Sequence, residues 1–294
     1  KSDGGLRPIG FFPTVIRLWM RSRLYVARAW ETSHALPNVY GGAAMGAHRA
    51  AWNESFAAEL AGNIRADHVQ ALLDLIKCFE TVPHCQLVIA AKALGFPLII
   101  LKLSLSAYRI RRTVGIDNVF SRPIRATRGI TAGSGFATTE LRVLLFELIL
   151  EVQSRWSLAI TIVIYVDDIT LSASGLPCVI VKLMLRALAF VTHVLEQLLQ
   201  MKVAPKKSLA LSGRPSIAKA LCAAQAQKSV SFVKTARLLG SDNAAGRRRS
   251  TRVMAGRSKG VKKLVRKFQK LRSCGGNTRI ASRTAATSRA TYGA

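Results

Sequence analysis

Acidic residues are scarce in this chain, which has 15 Asp and Glu against 44 Lys and Arg among 294 residues, a formal charge of +29. Such an excess argues for a polyanionic partner and says little about the fold. The basic residues are concentrated late in the sequence: 22 of them follow Pro205, and Asp242 is the only acid there. This region is expected to track phosphates with an affinity that falls steeply with salt, although a solubilising basic tail has the same composition.

Cysteine is also scarce, and the five cysteines form no CxxC pair. An odd, scattered set fits a reducing compartment, so we expect a protein of the nucleus or cytoplasm that is not secreted. Cys78, His84 and Cys85 are close in sequence but lack a further ligand pair for tetrahedral zinc. Neither a glycine-rich phosphate loop of the Walker type nor a secretory signal is present.

Long uninterrupted apolar runs are lacking as well. The apolar stretch 88–107 is broken by Lys92, Pro97 and Lys102, so we expect a pair of buried helices and no membrane span. The 50% hydrophobic content is ample for a core divided into subdomains. Because the chain starts at Lys1 and not at methionine, we expect it to be part of a longer polyprotein.

Two apolar segments carry acids where burial would be costly. Asp167 and Asp168 interrupt the β-branched run 160–171, whose halves predict two strands joined by a tight hairpin tip. Asp74 lies within 69–76, which predicts a strand covered on both faces. Carboxylates held against an apolar sheet need a compensating cation, and neighbouring strands would form an oxygen site for magnesium. An ordinary Asp-containing turn would also explain the adjacent pair.

Six short motifs follow one another over roughly residues 1 to 240. They are KSDGGLRPIG from Lys1, DLIKCFETVPH from Asp74, RGITAGS from Arg128, YVDD from Tyr165, VAPKKS from Val203 and LLG from Leu238. This ordered set resembles the motifs of reverse transcriptases of the non-LTR retrotransposon and group II intron type. The resemblance implies an RNA-directed DNA polymerase that extends a DNA primer on an RNA template with deoxynucleoside triphosphates. It also implies two Mg²⁺ ions, with Mn²⁺ as a substitute.

The resemblance further implies an α+β right-hand polymerase with fingers, an antiparallel-sheet palm that carries the acids, and a basic thumb. On this basis residues 1–66 with part of 85–127 are assigned to the fingers, 67–240 to the palm, and 241–294 to the thumb and C-terminal region. The predicted elements within these limits are a strand at 69–76, helices at 84–94 and 97–110, a β segment near 113–127, a helix at 136–154, the hairpin, and a helix at 177–200.

Catalytic roles follow from the same resemblance. Asp74, Asp167 and Asp168 are the expected catalytic acids. Asp74 and Asp167 would ligate both metals, and the backbone carbonyl of Leu75 would complete the site. Adjacent residues of a hairpin tip point in different directions, so Asp168 is expected to face the metals less directly.

The nucleotide contacts are expected at Lys1, Arg7, Phe79, Gly133 and Lys207. Lys1 and Arg7 would grip the triphosphate, and the Phe79 ring would collide with a ribose 2′-hydroxyl and so favour deoxynucleotides. The Gly133 backbone can approach the nucleotide closely. Lys207 would place a charge or a proton near the pyrophosphate. From the spacing, Lys206 is an equally plausible candidate for this role.

A basic helix is predicted over residues 257–272, with an apolar stripe on one face. This pattern suits a thumb helix that lies along a template–primer duplex, and a membrane-surface helix has the same signature. The expected nucleic-acid contacts on the helix are Lys262, Lys263, Arg266, Lys267 and Lys270. Arg247, Arg248 and Arg249 form a further phosphate contact or a nuclear import signal.

Two departures from the family pattern keep alternative functions open. Relatives commonly have Gln before Gly133 and Pro after Ser134, where this chain has Ala132 and Gly135. A catalytically decayed, RNA-binding, maturase-like polymerase fold is therefore one alternative. An RNA-directed RNA polymerase is another, although such enzymes tend to have a hydrogen-bonding acid at the position of Phe79.

Overall fold

Helices form over most of the predicted segments in the computed structural model, which describes residues 10–42, 45–157, 159–226, 228–246 and 250–287. They are α1 Thr14–Ser33, α2 Ala47–Asn63, α3 Cys78–Thr81, α4 His84–Ala93, α5 Leu98–Tyr108, α6 Ala137–Trp156, α7 Pro177–His193, α8 Pro215–Ala224, α9 Arg252–Ser273 and α10 Arg279–Ala281. Single π-helical turns follow at Val194–Leu198 and Ser282–Thr287.

Prolines mark several helix starts. Pro13, Pro83 and Pro97 immediately precede α1, α4 and α5, while Pro177 and Pro215 occupy the first positions of α7 and α8. The fixed φ of proline suits these positions, and its missing N–H has no intrahelical partner there in any case. The helix boundaries are thus set largely by local chemistry.

The strands are short apart from three that carry or adjoin the acids. They are β1 Val39–Tyr40, β2 Asp67–Leu73, β3 Gly115–Ile116, β4 Val119–Phe120, β5 Thr161–Tyr165, β6 Asp168–Gly175, β7 Leu209–Ser212, β8 Ser231–Phe232, β9 Ala236–Leu238 and β10 Ser241–Asn243.

The central sheet has the strand order β1-β5-β6-β2-β7-β8. Its four inner strands pair antiparallel, as predicted for the strands that carry the acids. At the edges β1 is parallel to β5, and β8 is parallel to β7. The sheet is therefore mixed, and the expectation of an antiparallel sheet is correct only for its centre. The predicted α+β class is confirmed.

Helices α2, α7 and α8 pack on the sheet, and β2 is largely buried within it. This burial agrees with the poor polar alternation of its sequence. The segment Pro177–Leu198 is long and apolar enough, by length and composition alone, to cross a membrane. Seven of its apolar side chains are buried in the protein core: Ile180, Met184, Ala187, Leu188, Val191, Val194 and Leu195.

Candidate active site

The two acidic segments predicted from the sequence lie at one end of the central sheet. The last register pair between β2 and β6 is Leu73 with Ile169, so Asp74 and Asp168 occupy the next positions on the two strands. Neighbouring strands are about 4.8 Å apart. The structure therefore brings together two acids that are almost a hundred positions apart in sequence. The apolar pattern predicted that Asp74 lies inside the strand. The strand ends at Leu73, so Asp74 follows it.

Asp167 lies in the turn between β5 and β6. Tyr165 pairs with Asp168, so Val166 and Asp167 form a two-residue hairpin loop and Asp168 already belongs to the strand. Asp167 is half-buried and Asp168 is exposed, so the two carboxylates occupy different environments. Val166 has a φ of +59°, which is rare for a β-branched residue and costs about 1–3 kcal/mol. The backbone that presents Asp167 is thus held in a strained conformation by its surroundings.

The buried Cys78 thiol reports how closely the acids converge. Burial raises its pKa well above the usual value, and the negative charges of Asp167, Glu80, Asp74 and Asp168 raise it further. All three predicted catalytic acids therefore act electrostatically on one side chain. The carboxylates around this thiol supply oxygen donors, which hard divalent ions prefer to sulfur.

Asp74 is fixed through its backbone and paired through its side chain. Its N–H donates to Ser208 Oγ at 3.0 Å, and its carbonyl accepts from the Ala204 N–H at 2.8 Å. Lys207 Nζ lies 3.9 Å from Asp74 Oδ2, and both side chains are partly exposed. An exposed pair at this distance contributes little stability, so its significance is the positive charge beside the acid.

Leu75 is held by an antiparallel bridge to Val203. The hydrogen bonds of this bridge are made by the flanking residues, from the Ile76 N–H to the Lys202 carbonyl and from the Ala204 N–H to the Asp74 carbonyl. In this pattern the N–H and C=O of Leu75 point away from Val203, toward the side on which β6 lies. The role of the Leu75 carbonyl as a metal ligand stays a prediction.

No group of three or more His, Cys, Asp or Glu side chains forms a ready metal cage in the part of the chain that the structure describes. The predicted ligands are instead the carboxylates of Asp74 and Asp167 and the backbone carbonyl of Leu75, all of them hard oxygen donors. That set fits a divalent ion such as Mg²⁺, which keeps several of its ligands from water and substrate phosphates.

The predicted nucleotide residues Phe79 and Gly133 lie on adjoining segments. The Ile130 N–H donates to the Phe79 carbonyl at 2.7 Å, and the Gly129 N–H donates to the Val82 carbonyl at 2.7 Å. Phe79 is half-buried against the core. Gly133 is exposed with a φ of +112°, a conformation that L side chains rarely adopt. This loop, residues 130–135, is hereafter called the glycine loop.

The sequence comparison identifies the chain. The family described as "Reverse transcriptase (RNA-dependent DNA polymerase)" matches residues 1–241. The chain belongs to the reverse transcriptase family. No curated protein sequence matches it.

Solved telomerase structures share the fold of this reverse transcriptase. An apo telomerase from Candida tropicalis, truncated from its C-terminal domain, is 11% identical with a TM-score of 0.51 over 81% of this chain and 45% of its own. Telomerase from Candida tropicalis in complex with a fragment of telomeric RNA is 12% identical with a TM-score of 0.51, over 80% of this chain and 36% of its own. The reverse transcriptase chain therefore spans less than half the length of these proteins. At this identity the likeness concerns the fold.

The basic helix α9 of this reverse transcriptase is attached by Asp242. The Asp242 carboxylate accepts hydrogen bonds from the backbone N–H groups of Val253 and Met254, at 2.8 and 3.1 Å, in the first turn of α9. Arg257 also donates to the Gly240 carbonyl. The predicted contacts Lys262, Lys263, Arg266, Lys267 and Lys270 are all exposed. The predicted contacts at Lys1, Arg7, Arg247, Arg248 and Arg249 lie outside the described residues.

Some residues of the site were missed by the sequence reasoning. Ser208 anchors Asp74. Tyr108 contacts Ser134 in the glycine loop, and Glu140 contacts Tyr108. Ser208 could have been found, because it lies within the motif VAPKKS. Tyr108 and Glu140 lie in helical sequence outside the motifs, and only the tertiary structure brings them together behind the loop.

Proposed function

We propose that this reverse transcriptase domain copies an RNA template into DNA as part of a retroelement, by nucleotidyl transfer to a primer 3′-hydroxyl. The observation that carries the proposal is the convergence of Asp74, Asp167 and Asp168 at one end of the sheet, with Lys207 beside Asp74. A carboxylate cluster flanked by a cation suits a reaction in which pyrophosphate leaves from an α-phosphate.

Two Mg²⁺ ions, or Mn²⁺ in their place, would be held by Asp74, Asp167 and the Leu75 carbonyl. When bound, they would supply positive charge to the attacking hydroxyl and to the departing pyrophosphate. The protein's own contribution is to fix these oxygens. The short backbone contacts of Asp74 and the strained turn at Val166 both restrict where the acids can point.

Phe79 is the residue we assign to sugar selection. The Phe79 carbonyl accepts a hydrogen bond from the Ile130 N–H, so the backbone of Phe79 is joined to the loop that carries Gly133. A ring beneath the bound nucleotide leaves no space for a 2′-hydroxyl, which favours deoxynucleotides. Lys207 would meet the pyrophosphate as a charge or as a proton donor.

The nucleic-acid partners we propose are an RNA template and a DNA primer. The exposed cations of α9 lie along one helix, whose first turn is anchored to β10 by Asp242. One of the structures with the same fold contains telomeric RNA, which agrees with an RNA partner here.

A second candidate is a polymerase fold that binds RNA without synthesis. Ala132 favours it, because the amide side chain common before Gly133 in relatives is missing. An RNA-copying RNA polymerase is disfavoured by the apolar ring at Phe79.

Primer extension by the full chain on an RNA template, with deoxy- or ribonucleotides and Mg²⁺, tests these functions. We expect extension with deoxynucleotides and a loss of at least about a hundredfold in Asp167→Asn, which keeps the size of the side chain but removes its charge. Equal extension by the variant would contradict the metal assignment. Ribonucleotide preference would support the RNA polymerase, and template binding without extension would support the second candidate.

A further inference from the structure

The glycine loop is held on both sides of Ala132 and Gly133. Its first part is fixed by the backbone hydrogen bond from Ile130 to Phe79, and Arg112 donates to Thr131 Oγ1 at 3.2 Å. Its last part is fixed by the side chain of Ser134, whose Oγ accepts from the Phe136 N–H at 3.2 Å and contacts the Tyr108 hydroxyl at 2.8 Å. Ala132 and Gly133 are exposed between these two anchors. The presentation of the Gly133 backbone therefore depends on how firmly Ser134 is held.

Behind Ser134 lies a buried pair on two helices. The Tyr108 hydroxyl at the end of α5 is 2.6 Å from Glu140 Oε2 in the first turn of α6, and both residues are almost completely buried. A tyrosine hydroxyl carries one proton, so it donates to one neighbour and accepts from the other. Glu140, Tyr108 and Ser134 thus form one chain of hydrogen bonds from the core to the loop.

The Glu140 carboxyl is costly to keep in this position. Burial raises its pKa to about 7, against the lowering effects of the hydrogen bond from Tyr108 and of the nearby Ser104 hydroxyl. Its second oxygen, Oε1, has no hydrogen-bond partner among the residues that the structure describes. An apolar side chain would fill this place in α6 at a lower cost, so its packing role alone does not account for a carboxyl here.

We propose that Glu140 and Tyr108 are positioning residues for the glycine loop, and that they set how tightly the incoming nucleotide is bound. Glu140 orients the Tyr108 hydroxyl, and Tyr108 fixes Ser134 and hence the backbone at Gly133. This buried support acts from beneath the loop in a chain that has Ala132 in place of the amide side chain of relatives. The inference rests on the proposed function, since it assumes that the loop meets a nucleotide.

The kinetic test uses Tyr108→Phe, Glu140→Gln and Glu140→Leu in primer extension by the full chain. Tyr108→Phe should raise KM for the deoxynucleotide about tenfold and change kcat less than about threefold, because the missing hydrogen bond acts on binding. Glu140→Leu should likewise raise KM about tenfold and change kcat less than about threefold. Glu140→Gln should restore KM to within about threefold of wild type, because its amide oxygen still accepts from Tyr108.

Glu54 offers a matched control. It is another buried glutamate, bonded to Gln70 Nε2 at 2.9 Å and remote from the glycine loop. Glu54→Gln and Glu54→Leu should leave KM unchanged even where they lower the melting temperature. If Glu54→Leu raises KM as much as Glu140→Leu does, the effect is general destabilisation and the inference is wrong.

Hydrogen–deuterium exchange separates this inference from the proposed function. The Phe136 amide, which donates to Ser134 Oγ, should exchange at least about tenfold faster in Tyr108→Phe than in wild type, with or without nucleotide. An unchanged rate would overturn the positioning role even in an active enzyme. Absence of extension by wild type would instead contradict the proposed function. Should Tyr108→Phe fail to fold, Ser134→Ala breaks the same link, and an unchanged KM in that variant would also overturn the inference.

Discussion

Phe79 is the side chain to which we assign the choice of sugar. Phe79→Ala should relax the preference for deoxy- over ribonucleotides by at least about tenfold, because space opens beneath the ribose. The measurement is the ratio of kcat/KM for one deoxynucleotide and its ribonucleotide. Phe79→Tyr keeps the ring and should keep the ratio. An unchanged ratio in an active Phe79→Ala enzyme would show that selection occurs elsewhere.

Glu54 is a residue whose burial makes stability depend on pH. Burial raises its pKa to about 7 from 4.5, against the lowering effect of the hydrogen bond from Ser172. The folded state therefore holds a proton that the unfolded chain releases, so the contribution of Glu54 to stability falls as pH rises from about 4.5 to about 7.

Glu54→Gln removes this titration and keeps the shape of the side chain. The variant should gain stability relative to wild type as pH rises through that window, on the order of 3 kcal/mol at the upper end. Chemical denaturation at several pH values measures the difference in unfolding free energy between the variant and wild type. The buried His68, whose pKa is lowered, titrates in both proteins, so its contribution cancels in this difference. A difference that stays constant from pH 4 to 8 would contradict the assignment.

Among the long helices, α9 is the least supported by packing. It has no fully buried residue, and its predicted apolar stripe is at most half-buried, with Val265 and Leu271 exposed. Its first turn is held instead by Asp242, the acid that stood out in the basic C-terminal sequence. An acceptor from a neighbouring strand thus replaces the usual capping residue, since Thr251 makes no side-chain cap hydrogen bond.

Asp242→Ala should destabilise α9 by about 1 kcal/mol, the usual cost of removing a helix cap, and Asp242→Asn should cost less because its oxygen still accepts. Partial burial alone would raise the Asp242 pKa, but the Val253 and Met254 amides, Ser250 and Arg257 together lower it. The charged cap is therefore present at neutral pH and disappears only as pH falls through that lowered value. Amide hydrogen exchange at residues 253 and 254 measures the loss of the cap. Protection in Asp242→Ala equal to that in wild type would contradict the capping role of Asp242.

The elements that the sequence predicts well are those with strong periodicity or clear boundaries. Helices expected at 84–94, 97–110 and 136–154 occur at His84–Ala93, Leu98–Tyr108 and Ala137–Trp156. The β segment near 113–127 is the ribbon of β3 and β4. The helix expected to reach residue 200 changes to a π-helical turn at Val194, which its apolar pattern does not reveal.

Tertiary pairing accounts for what the sequence did not predict. Strands such as β1 and β8 have only two residues each and exist because a neighbouring strand pairs with them. Buried polar contacts are equally invisible, because Glu140 and Glu147 look alike in the sequence of α6 while only Glu140 is buried. Motif order located the acids, but it carried no information on which side chains support them.

In the molecule as a whole, one short strand joins the basic surface to the catalytic sheet. Asn243 of β10 donates to Gln70 Oε1 at 2.7 Å, and Gln70 lies in β2, four positions before Asp74. The adjacent residue, Asp242, caps α9. The basic helix is therefore tied, through two neighbouring side chains, to the strand that precedes Asp74. The proposed binding surface on α9 and the proposed site at the sheet are thus mechanically linked.

This separation predicts that template affinity can be changed without changing the chemistry. Replacing Lys262, Lys263, Arg266, Lys267 and Lys270 by Gln should weaken template–primer binding most at moderate salt. The slope of log affinity against log salt should become shallower by up to about 0.9 for each phosphate that these cations no longer neutralise. The rate of extension at saturating template should stay close to wild type, because these side chains lie on α9 and the acids lie at the end of the central sheet. Binding titrations at several salt concentrations measure the slope. A variant with the four lysines changed to Arg keeps the charge and should keep the slope.

The overall charge of +29 attracts any polyanion. An unchanged slope in the Gln variant would therefore mean that other cations bind the duplex and that α9 is not the thumb surface.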